Sequence, residues 1–484
     1  MNRLLVLLIV MIGCLLAIPR VEAQVPEMMP LTVDGKERVC LDCHRLPNIA
    51  TNEGILTSQA LCYECHAQAT VMRQTADRSV VLQVTPDSFK NNRHAYIACI
   101  DCHRDVARSP HKSLAGAKCQ SCHPVHGEGA VGDPHLRVSC QACHHRSKFV
   151  FQDRSSDKVR LSALDAKKVP IALTDHALAD TKDKTLCLKC HFSGNQVGAA
   201  AAVLPAKSVL CLVCHNAPLA VGHSMFWAAF LILLLGLFST LFFWFQGSVA
   251  GEEKSLHRKI ALSSEGIWKT LFSRKIGPIL KTIFWDVFLQ RRILQESVKR
   301  WSIHSLIFLS ILLRFGISVF TWFAYRIGPD SALARALIDK NNGFVAFAYD
   351  FLGLLILLGL LLALTQRFVI RPAHSLSEGQ DNLAIGILGV LILLGFFLEG
   401  VRILITRVPM ETAVYAFIGY PLSILFSWLP WDWQTVYVYL WYAHAAVAAA
   451  FIACLPFGKM KHIIQTPLSL ILNYKRKLVC PKKI

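Results

Sequence analysis

The chain has 484 residues, of which 54% are hydrophobic and 17% are charged. This length allows two or three domains, and the apolar fraction is higher than in most soluble proteins. The formal net charge is +19. Because the basic residues flank apolar runs and do not form one patch with interleaved aromatics, the composition disfavours nucleic-acid binding and favours a membrane protein.

The N-terminus has the pattern of an exported protein. Arg3 precedes an apolar run from Leu4 to Leu16, and Val21-Glu22-Ala23 is typical of a cleavage site. Together these features predict a signal peptide over residues 1–23. Lipidation at Cys14 and an uncleaved anchor are the alternatives, and all three place the following residues in a bacterial periplasm.

Fourteen of the 17 cysteines fall in seven Cys-x-x-Cys-His motifs. In this signature each thiol adds to one vinyl group of a haem, and the histidine ligates the iron. Disulfides and zinc knuckles are the alternatives, but a zinc knuckle rarely has a histidine directly after every second cysteine. The sequence therefore predicts seven haem c groups. Their ligands are Cys40, Cys43 and His44; Cys62, Cys65 and His66; Cys99, Cys102 and His103; Cys119, Cys122 and His123; Cys140, Cys143 and His144; Cys187, Cys190 and His191; and Cys211, Cys214 and His215.

Seven further histidines lie between the first motif and the first long apolar run. A haem iron takes two axial ligands, so the matching number predicts two histidine ligands for every haem c. Haems ligated in this way carry electrons and leave no open position for a substrate. His145 directly follows a motif histidine, and because adjacent side chains diverge we expect it to ligate a different haem. The candidate second ligands are His94, His111, His126, His135, His145, His176 and His223.

Residues 24–222 are expected to form a haem-packed, loop-rich periplasmic domain. So few residues per haem leave little room for an apolar core, which predicts short helices, loops and little sheet. The segment Val150 to Pro170 is mostly polar and contains no motif. We expect it to be a loop between a five-motif block and a two-motif block.

Five apolar stretches in the second half are long enough to cross a bilayer. They predict an all-α, five-helix membrane domain over residues 223–478, followed by a cytoplasmic tail at 479–484. The loop Gln246 to Ser302 has 11 Lys or Arg against five Asp or Glu. That excess places the loop in the cytoplasm and the protein in the bacterial inner membrane as a multi-pass protein. The predicted spans are 225–245, 303–323, 344–364, 383–405 and 436–457.

Ionisable residues within these spans indicate functional sites, because they are costly in a bilayer. His304 and His462 would lie at similar depth on antiparallel helices, which predicts one haem b between them. Candidates for a proton-handling quinone site are Arg314, Asp350, Glu399 and Arg402. The alternative for the acidic and basic groups is an ion pair that holds helices together.

Four stretches of this half resemble a known family. "SIHSLIFLSILLRF", "RFVIRPAHSLSEGQDNL", "GFFLEGVRILI" and "YAHAAVAAAFIACLPFGKMKHIIQTP" resemble the five-helix membrane cytochrome b of respiratory nitrate reductase gamma subunits. They are also similar to related heterodisulfide-reductase-like and sulfite-pathway membrane subunits. The resemblance covers roughly Trp227 to Lys477.

The resemblance implies that His444 and His462 both ligate haem b, each paired with one of two histidines on the second helix. His304 matches the first of these histidines, but the second position is Arg314, ten residues later. The sequence therefore leaves open whether the protein holds one or two haem b groups. His444 could pair with His223 or only form a hydrogen bond, and Arg314 could bind a haem propionate or a quinone oxygen.

The combination of an exported multihaem domain and a membrane cytochrome b is similar to quinone-linked inner-membrane cytochromes of anaerobic respiration. This architecture implies oxidation of menaquinol and transfer of electrons to periplasmic cytochromes or other redox proteins. Three alternatives remain open. They are quinone reduction from a periplasmic donor, a relay subunit of a larger respiratory complex without its own quinone site, and a terminal reductase with an open haem.

Overall fold

The computed structural model describes most of the membrane half and parts of the cysteine-rich half. The predicted signal peptide, Cys14, the first motif with His44, and the C-terminal tail lie outside the described residues, as do His111, His126 and His176. The described ranges are 51–69, 71–74, 79–90, 93–103, 119–123, 135–154, 157–162, 178, 184–246, 254–271, 276–329, 331–370, 379–463 and 465–467.

Short helices, 3-10 turns and two hairpins make up the described part of the cysteine-rich half. The α-helices are α1 (Asn52–His66), α2 (Pro86–Lys90), α3 (Cys99–Cys102) and α4 (Cys140–His144). The 3-10 turns are Cys119–Ser121, Lys184–Lys189 and Val209–Val213. The strands are β1 (Met72–Gln74), β2 (Ser79–Val81), β3 (Val150–Asp153) and β4 (Lys158–Leu161), which pair as β1–β2 and β3–β4.

The expectation of a loop after Val150 was wrong for the first part of that segment. Strands β3 and β4 form an antiparallel hairpin in which Val150 pairs with Leu161 and Phe151 with Arg160. These strands contain the β-branched and aromatic residues that favour a half-buried strand. Asp157 adopts a φ of 49° just before β4, which is the left-handed backbone that a tight turn needs and that Asp tolerates.

Five helices are long and apolar enough to cross a membrane. They are α5 (Ser224–Gln246), α9 (Val298–Ile327), α11 (Gly343–Thr365), α12 (Gly379–Thr406) and α15 (Trp433–Cys454). These helices coincide with the five predicted spans, with ends that differ by a few residues. The largest difference is at α9, which continues beyond both predicted ends. Ser297 caps its N-terminus and accepts a hydrogen bond from the Arg300 N–H (3.3 Å).

Shorter helices connect these spans. Helices α6 (Leu256–Leu271), α7 (Ile276–Thr282) and α8 (Arg291–Glu296) lie between α5 and α9, and a π-helical turn follows α7 at Ile283–Phe288. Helix α10 (Ala332–Ile338) precedes α11, and α13 (Met410–Ala413) and α14 (Gly419–Ser427) join α12 to α15. A π-helical turn at Gln366–Ile370 extends α11, and a 3-10 turn at Gly458–Lys461 follows α15.

Close helix packing depends on two glycines of α11. A Cβ at Gly353 would lie 2.7 Å from the Phe396 ring of α12, and one at Gly359 would lie 2.7 Å from the Ile307 side chain of α9. Small residues of this kind let membrane helices approach closely. Helix α11 therefore packs directly against α9 and α12, and the core formed around Ile356 and Phe396 is buried.

The cysteine-rich half docks on one end of the helix bundle, and Gln434 at the start of α15 is the centre of this contact. Its backbone carbonyl accepts a hydrogen bond from the Ala201 N–H (3.2 Å), and its Oε1 accepts one from the Gly194 N–H (2.8 Å). Its Nε2 donates to the Asn195 carbonyl (2.9 Å). We call this end of the bundle the docking end.

The β3–β4 hairpin adds two further contacts at the docking end. Gln152 Nε2 donates to the carbonyl of Thr406, the last residue of α12 (2.8 Å). Arg137 forms an ion pair with Asp339 (2.9 Å) and another with Asp157. The ends of α12, α15 and the α10–α11 connection therefore lie on the same side as the cysteine-rich half, as the sequence-derived topology requires.

A substitution at Gly198 tests this docking contact. Gly198 has a φ of +71°, and an added Cβ would lie 2.3 Å from the Ile405 carbonyl oxygen, whereas Gly194 has a φ of +79° and open space around it. Both Gly→Ala substitutions force a left-handed backbone, which costs about 1–2 kcal/mol. We expect Gly198→Ala to lower the thermal midpoint of the detergent-solubilised chain further than Gly194→Ala, because only Gly198→Ala also creates a clash. Equal midpoints for the two variants would contradict the docking geometry.

Candidate haem and quinone sites

Each described Cys-x-x-Cys-His motif forms a single helical turn. The backbone N–H of the motif histidine donates to the carbonyl of the first cysteine at His103 (2.9 Å), His123 (2.9 Å), His191 (3.0 Å) and His215 (3.1 Å). The other two motifs lie within α1 and α4. Residues i, i+3 and i+4 of a turn share one face. Both thiols and the imidazole therefore lie on one side, as covalent haem attachment requires.

The second to sixth motifs are neighbours in space, each beside the one that follows it in the sequence. None of the cysteines in the described ranges is in a disulfide. The second and third motifs are in contact, because the thiols of Cys62 and Cys99 form a hydrogen bond. This bond raises the pKa of Cys99. Electrostatic contacts link Cys62 with Cys99, Cys102 with Cys119, Cys119 with Cys140, and Cys143 with Cys187.

Four pairs of histidine rings face each other at nearly the same separation. Imidazole nitrogens bind transition metals at about 2.0–2.1 Å, as in zinc sites, so two rings on opposite sides of one metal have centroids roughly 6 Å apart. A haem iron takes two such ligands from the protein. The observed centroid distances are 5.8 Å for His94–His123, 6.3 Å for His135–His191, 6.3 Å for His215–His444 and 6.3 Å for His304–His462.

Three histidines use Nδ1 in a hydrogen bond that leaves Nε2 available for a metal. The Nδ1 of His66 donates to the Leu82 carbonyl (2.9 Å), and that of His191 to the Ala200 carbonyl (3.1 Å). The Nδ1 of His304 donates to Gln290 Oε1 (2.9 Å). Outer hydrogen bonds of this kind fix the tautomer and orientation of a metal-ligating histidine.

His145 and His223 have the opposite hydrogen-bond pattern. Nδ1 of His145 accepts from the Ser147 N–H (3.0 Å), and Nδ1 of His223 accepts from the Met225 N–H (3.3 Å). In a neutral imidazole the ring proton is then on Nε2, the atom that would bind iron. The roles predicted for these two histidines remain predictions, as do the partners of His66, His103 and His144.

No group of three or more His, Cys, Asp or Glu side chains in the described ranges is placed to hold a metal ion by itself. A haem site needs only two protein ligands, since the porphyrin supplies the other four. The four facing histidine pairs fit that requirement.

His304 and His462 meet at the end of the bundle opposite the docking end. His304 lies in the first two turns of α9, and His462 follows the 3-10 turn after α15. Gln290 orients His304 and is itself buried, with a left-handed backbone (φ 53°). Gln290 was missed in the sequence because it lies 14 residues before His304 and belongs to no motif.

His215 of the seventh motif faces His444 of α15. The two rings are inclined by only 26° to each other. The Nδ1 atoms of both rings are buried without a completed hydrogen bond among the described residues, although the His444 ring faces the Leu391 carbonyl. Burial holds the pKa of His215 well below its usual value, so the ring stays in the neutral form that ligates metals.

Arg314 lies beside this pair. Its guanidinium carbon is 5.1 Å from the centroid of the Tyr349 ring, and its buried Nε has no hydrogen-bond partner among the described residues. A guanidinium with an unused donor fits an anionic oxygen such as a haem propionate. The position of Arg314 is therefore compatible with both roles predicted from the sequence, which are binding of a haem propionate and binding of a quinone oxygen.

Asp350, Glu399 and Arg402 form one polar cluster near the docking end. Asp350 is fully buried and accepts hydrogen bonds from the backbone N–H groups of Ile418 (2.7 Å) and Gly419 (3.2 Å) at the start of α14. Arg402 lies 3.6 Å from Glu399, and these side chains remain 15% and 20% exposed. The cluster joins α11, α12 and α14, and of its three members only Glu399 and Arg402 are accessible to a ligand.

The sequence is similar to redox proteins. It is 26% identical over 256 residues to a subunit of dihydromethanophenazine:CoB–CoM heterodisulfide reductase from Methanosarcina thermophila, a match that covers 51% of this chain and 88% of the relative. The corresponding subunit of Methanosarcina barkeri is 27% identical over 254 residues, again 51% of this chain and 88% of the relative. EtfAB:quinone oxidoreductase of Syntrophomonas wolfei is 26% identical over 215 residues, which are 41% of this chain and 28% of that protein.

No protein-family model matches the chain, and no solved structure matches it significantly. The relatives are named as oxidoreductases or as a subunit of one, which supports a general role in electron transfer. The five membrane-capable helices fit a membrane protein with a role of this kind.

Covalent haem attachment can be tested at one motif. Replacing both cysteines of the fifth motif, Cys140→Ser and Cys143→Ser, removes both thioether positions. We expect the mass of the denatured chain to fall by one haem. Cys454→Ser is the control, because Cys454 is exposed and outside every motif, and it should leave the haem mass unchanged. A wild-type chain without covalently bound haem would contradict the interpretation of the motifs.

Proposed function

We propose that this chain is a membrane-bound oxidoreductase that moves electrons between the menaquinone pool and periplasmic acceptors. Its cofactors are seven haem c groups, haem b and the quinone. Bound haem supplies one-electron chemistry, while the protein supplies ligation, position and electrostatic environment. We favour the direction from quinol to the periplasm, on the basis of the resemblance to quinone-linked cytochromes.

The facing histidine pairs carry this proposal. They have one common spacing, and they occur at the inner end of the bundle (His304–His462), at its junction with the cysteine-rich half (His215–His444) and within that half. The second to sixth motifs also lie next to one another. A series of sites that extends from a membrane bundle into an adjoining domain supports electron transfer between the two.

The docking contacts support the proposed sidedness. The cysteine-rich half lies at the end of the bundle opposite the basic loop between α5 and α9, which the positive-inside rule assigns to the cytoplasm. The exported half would then meet periplasmic cytochromes or other redox proteins. His304 and His462 would lie on the cytoplasmic side of the bacterial inner membrane.

Glu399 and Arg402 are the proposed quinone-contacting residues. Quinol oxidation releases protons, which requires a nearby group that can accept and pass them on. The partial exposure of both side chains supports this role, whereas Asp350 is inaccessible and would act by holding the start of α14. Arg314 remains a further candidate through its unused Nε.

A relay subunit is the second candidate function. The name of the Methanosarcina relatives identifies them as one subunit of a larger reductase. By analogy, this chain would pass electrons to or from a separate catalytic subunit and have no quinone site of its own. This candidate predicts that the isolated chain does not react with quinol.

Substitution of His304 tests the membrane haem site. Under anaerobic conditions, we expect a menaquinol analogue to reduce the haem c groups of the wild-type chain rapidly and a quinone-site inhibitor to block this reaction. His304→Ala should remove one haem b and abolish reduction by quinol, while dithionite still reduces every haem c. His257→Ala is the control, since His257 is exposed on α6. If quinol does not reduce the wild-type chain but dithionite does, quinol oxidation by the isolated chain is excluded and the relay function is favoured.

The quinone-site residues require a separate test. Glu399→Gln keeps the size of the side chain and removes its ability to take up a proton. Loss of general acid–base catalysis lowers rates by about 100-fold or more, and we expect that decrease in the rate of quinol-dependent haem reduction. The control is Glu411→Gln, at an exposed position in α13. Equal rates for Glu399→Gln and the wild type would exclude Glu399 from the quinone site.

A further inference from the structure

The loop that contains the seventh motif is inserted into the membrane bundle. This seventh-motif loop (residues 207–222) packs against α9 and α15 through its 3-10 turn Val209–Val213. We propose that the haem c attached to Cys211 and Cys214 takes His444 as its second axial ligand. That haem would occupy the position of a second haem b, an inference that deepens the proposed electron-transfer function and depends on it.

The ring geometry is the first support. The His215–His444 centroid distance of 6.3 Å equals that of His304–His462, the pair expected to hold haem b. His215 is fixed as a first ligand because it belongs to a motif turn with Cys211 and Cys214. His444 lies 11 residues into α15, or about 16 Å from the docking end at 1.5 Å per residue. A motif histidine therefore reaches well into the helix bundle.

The backbone polar groups of the loop form hydrogen bonds within the protein, as this depth in the bundle requires. Irregular backbone within a membrane bundle is tolerated only where its polar groups are satisfied inside the protein. The Val209 N–H donates to the Ala220 carbonyl (2.8 Å), and the Cys211 N–H donates to the Ser208 carbonyl (2.9 Å). Ser208 is fully buried, and Leu210 belongs to the same buried cluster as Phe396 of α12. The loop is therefore part of the bundle core.

The surroundings are suited to an anionic group. Arg314, Lys207 and Lys340 all act electrostatically on His215, and each is a cation. Arg314 also has a buried Nε without a partner among the described residues. A haem with two ionised propionates would balance this positive charge through charge-assisted hydrogen bonds.

The other candidate partners of His444 fit less well. Arg314 is a cation and cannot donate a lone pair to iron. His223 is exposed at the start of α5, and its Nδ1 accepts a backbone hydrogen bond.

With His215 opposite His444, the pair His304–His462 holds the single haem b. Eight histidines are then available as second ligands for seven haem c groups, so one of the seven spare histidines is not needed.

The test compares the wild-type chain with His444→Ala, both full-length and in detergent. Pyridine haemochrome spectra count haem b and haem c, and electron paramagnetic resonance reports spin state. We expect one haem b and seven haem c in the wild type. His444→Ala should keep both numbers and convert one haem c per chain to a high-spin form that added imidazole returns to low spin. His257→Ala, at an exposed position of α6, should leave haem numbers and this spin state as in the wild type.

Three results would overturn the inference: two haem b groups in the wild type, loss of a haem b in His444→Ala, or only low-spin haem c in that variant. If His444→Ala does not insert, His444→Met replaces it, since methionine can ligate haem iron and raises its potential. The expected result is a higher midpoint potential for one haem c, and a shift of haem b instead would overturn the inference. None of these readouts uses quinol, so a chain that fails to react with quinol can still meet them.

Discussion

A common spacing between paired histidine rings is the constraint on which the proposed arrangement of this protein depends. Two imidazoles that bind one metal must face each other across a gap of fixed width. Four histidine pairs meet this condition within half an ångström of each other, although they lie in very different surroundings. One pair joins a membrane helix to the segment after α15, another joins a loop to a helix, and two lie in the cysteine-rich half. With a haem bound between its two rings, each pair would fix the relative position of the segments that carry it.

The membrane bundle must also accommodate charge at low dielectric. Asp350 is buried, and two backbone N–H groups at the start of α14 hold one of its carboxylate oxygens. Arg314 has its guanidinium over the Tyr349 ring and keeps one donor that no described residue uses. The carboxylate is therefore held by the fold itself, whereas the guanidinium is suited to an anionic ligand. Asp350 is therefore a structural charge, whereas Arg314 is a candidate functional residue.

The docking contacts make the two halves a single unit. Gln434 uses its backbone and both ends of its side-chain amide to hold residues 194–201, and Gly198 allows the two backbones to approach closely. The seventh-motif loop extends the same contact into the bundle. A rigid junction of this kind keeps His215 opposite His444, which a flexible linker between two domains would not do.

The sequence by itself determined the motifs and the five membrane-capable helices, because each depends on local spacing or on runs of apolar residues. Cys-x-x-Cys-His places three groups on one helical turn, and about 20 apolar residues span a bilayer. It also placed His304 and His462 at similar depth. It did not predict the β3–β4 hairpin, because a segment that reads as mostly polar still contained an alternating strand pattern.

Only the tertiary structure decided which distant residues meet. His215 and His444 are 229 positions apart in the chain, and Gln290 orients His304 without any motif to mark it. Such contacts arise from the packing of a loop among helices. Local spacing carries no information about that packing, because it depends on which buried surfaces fit together across the whole bundle.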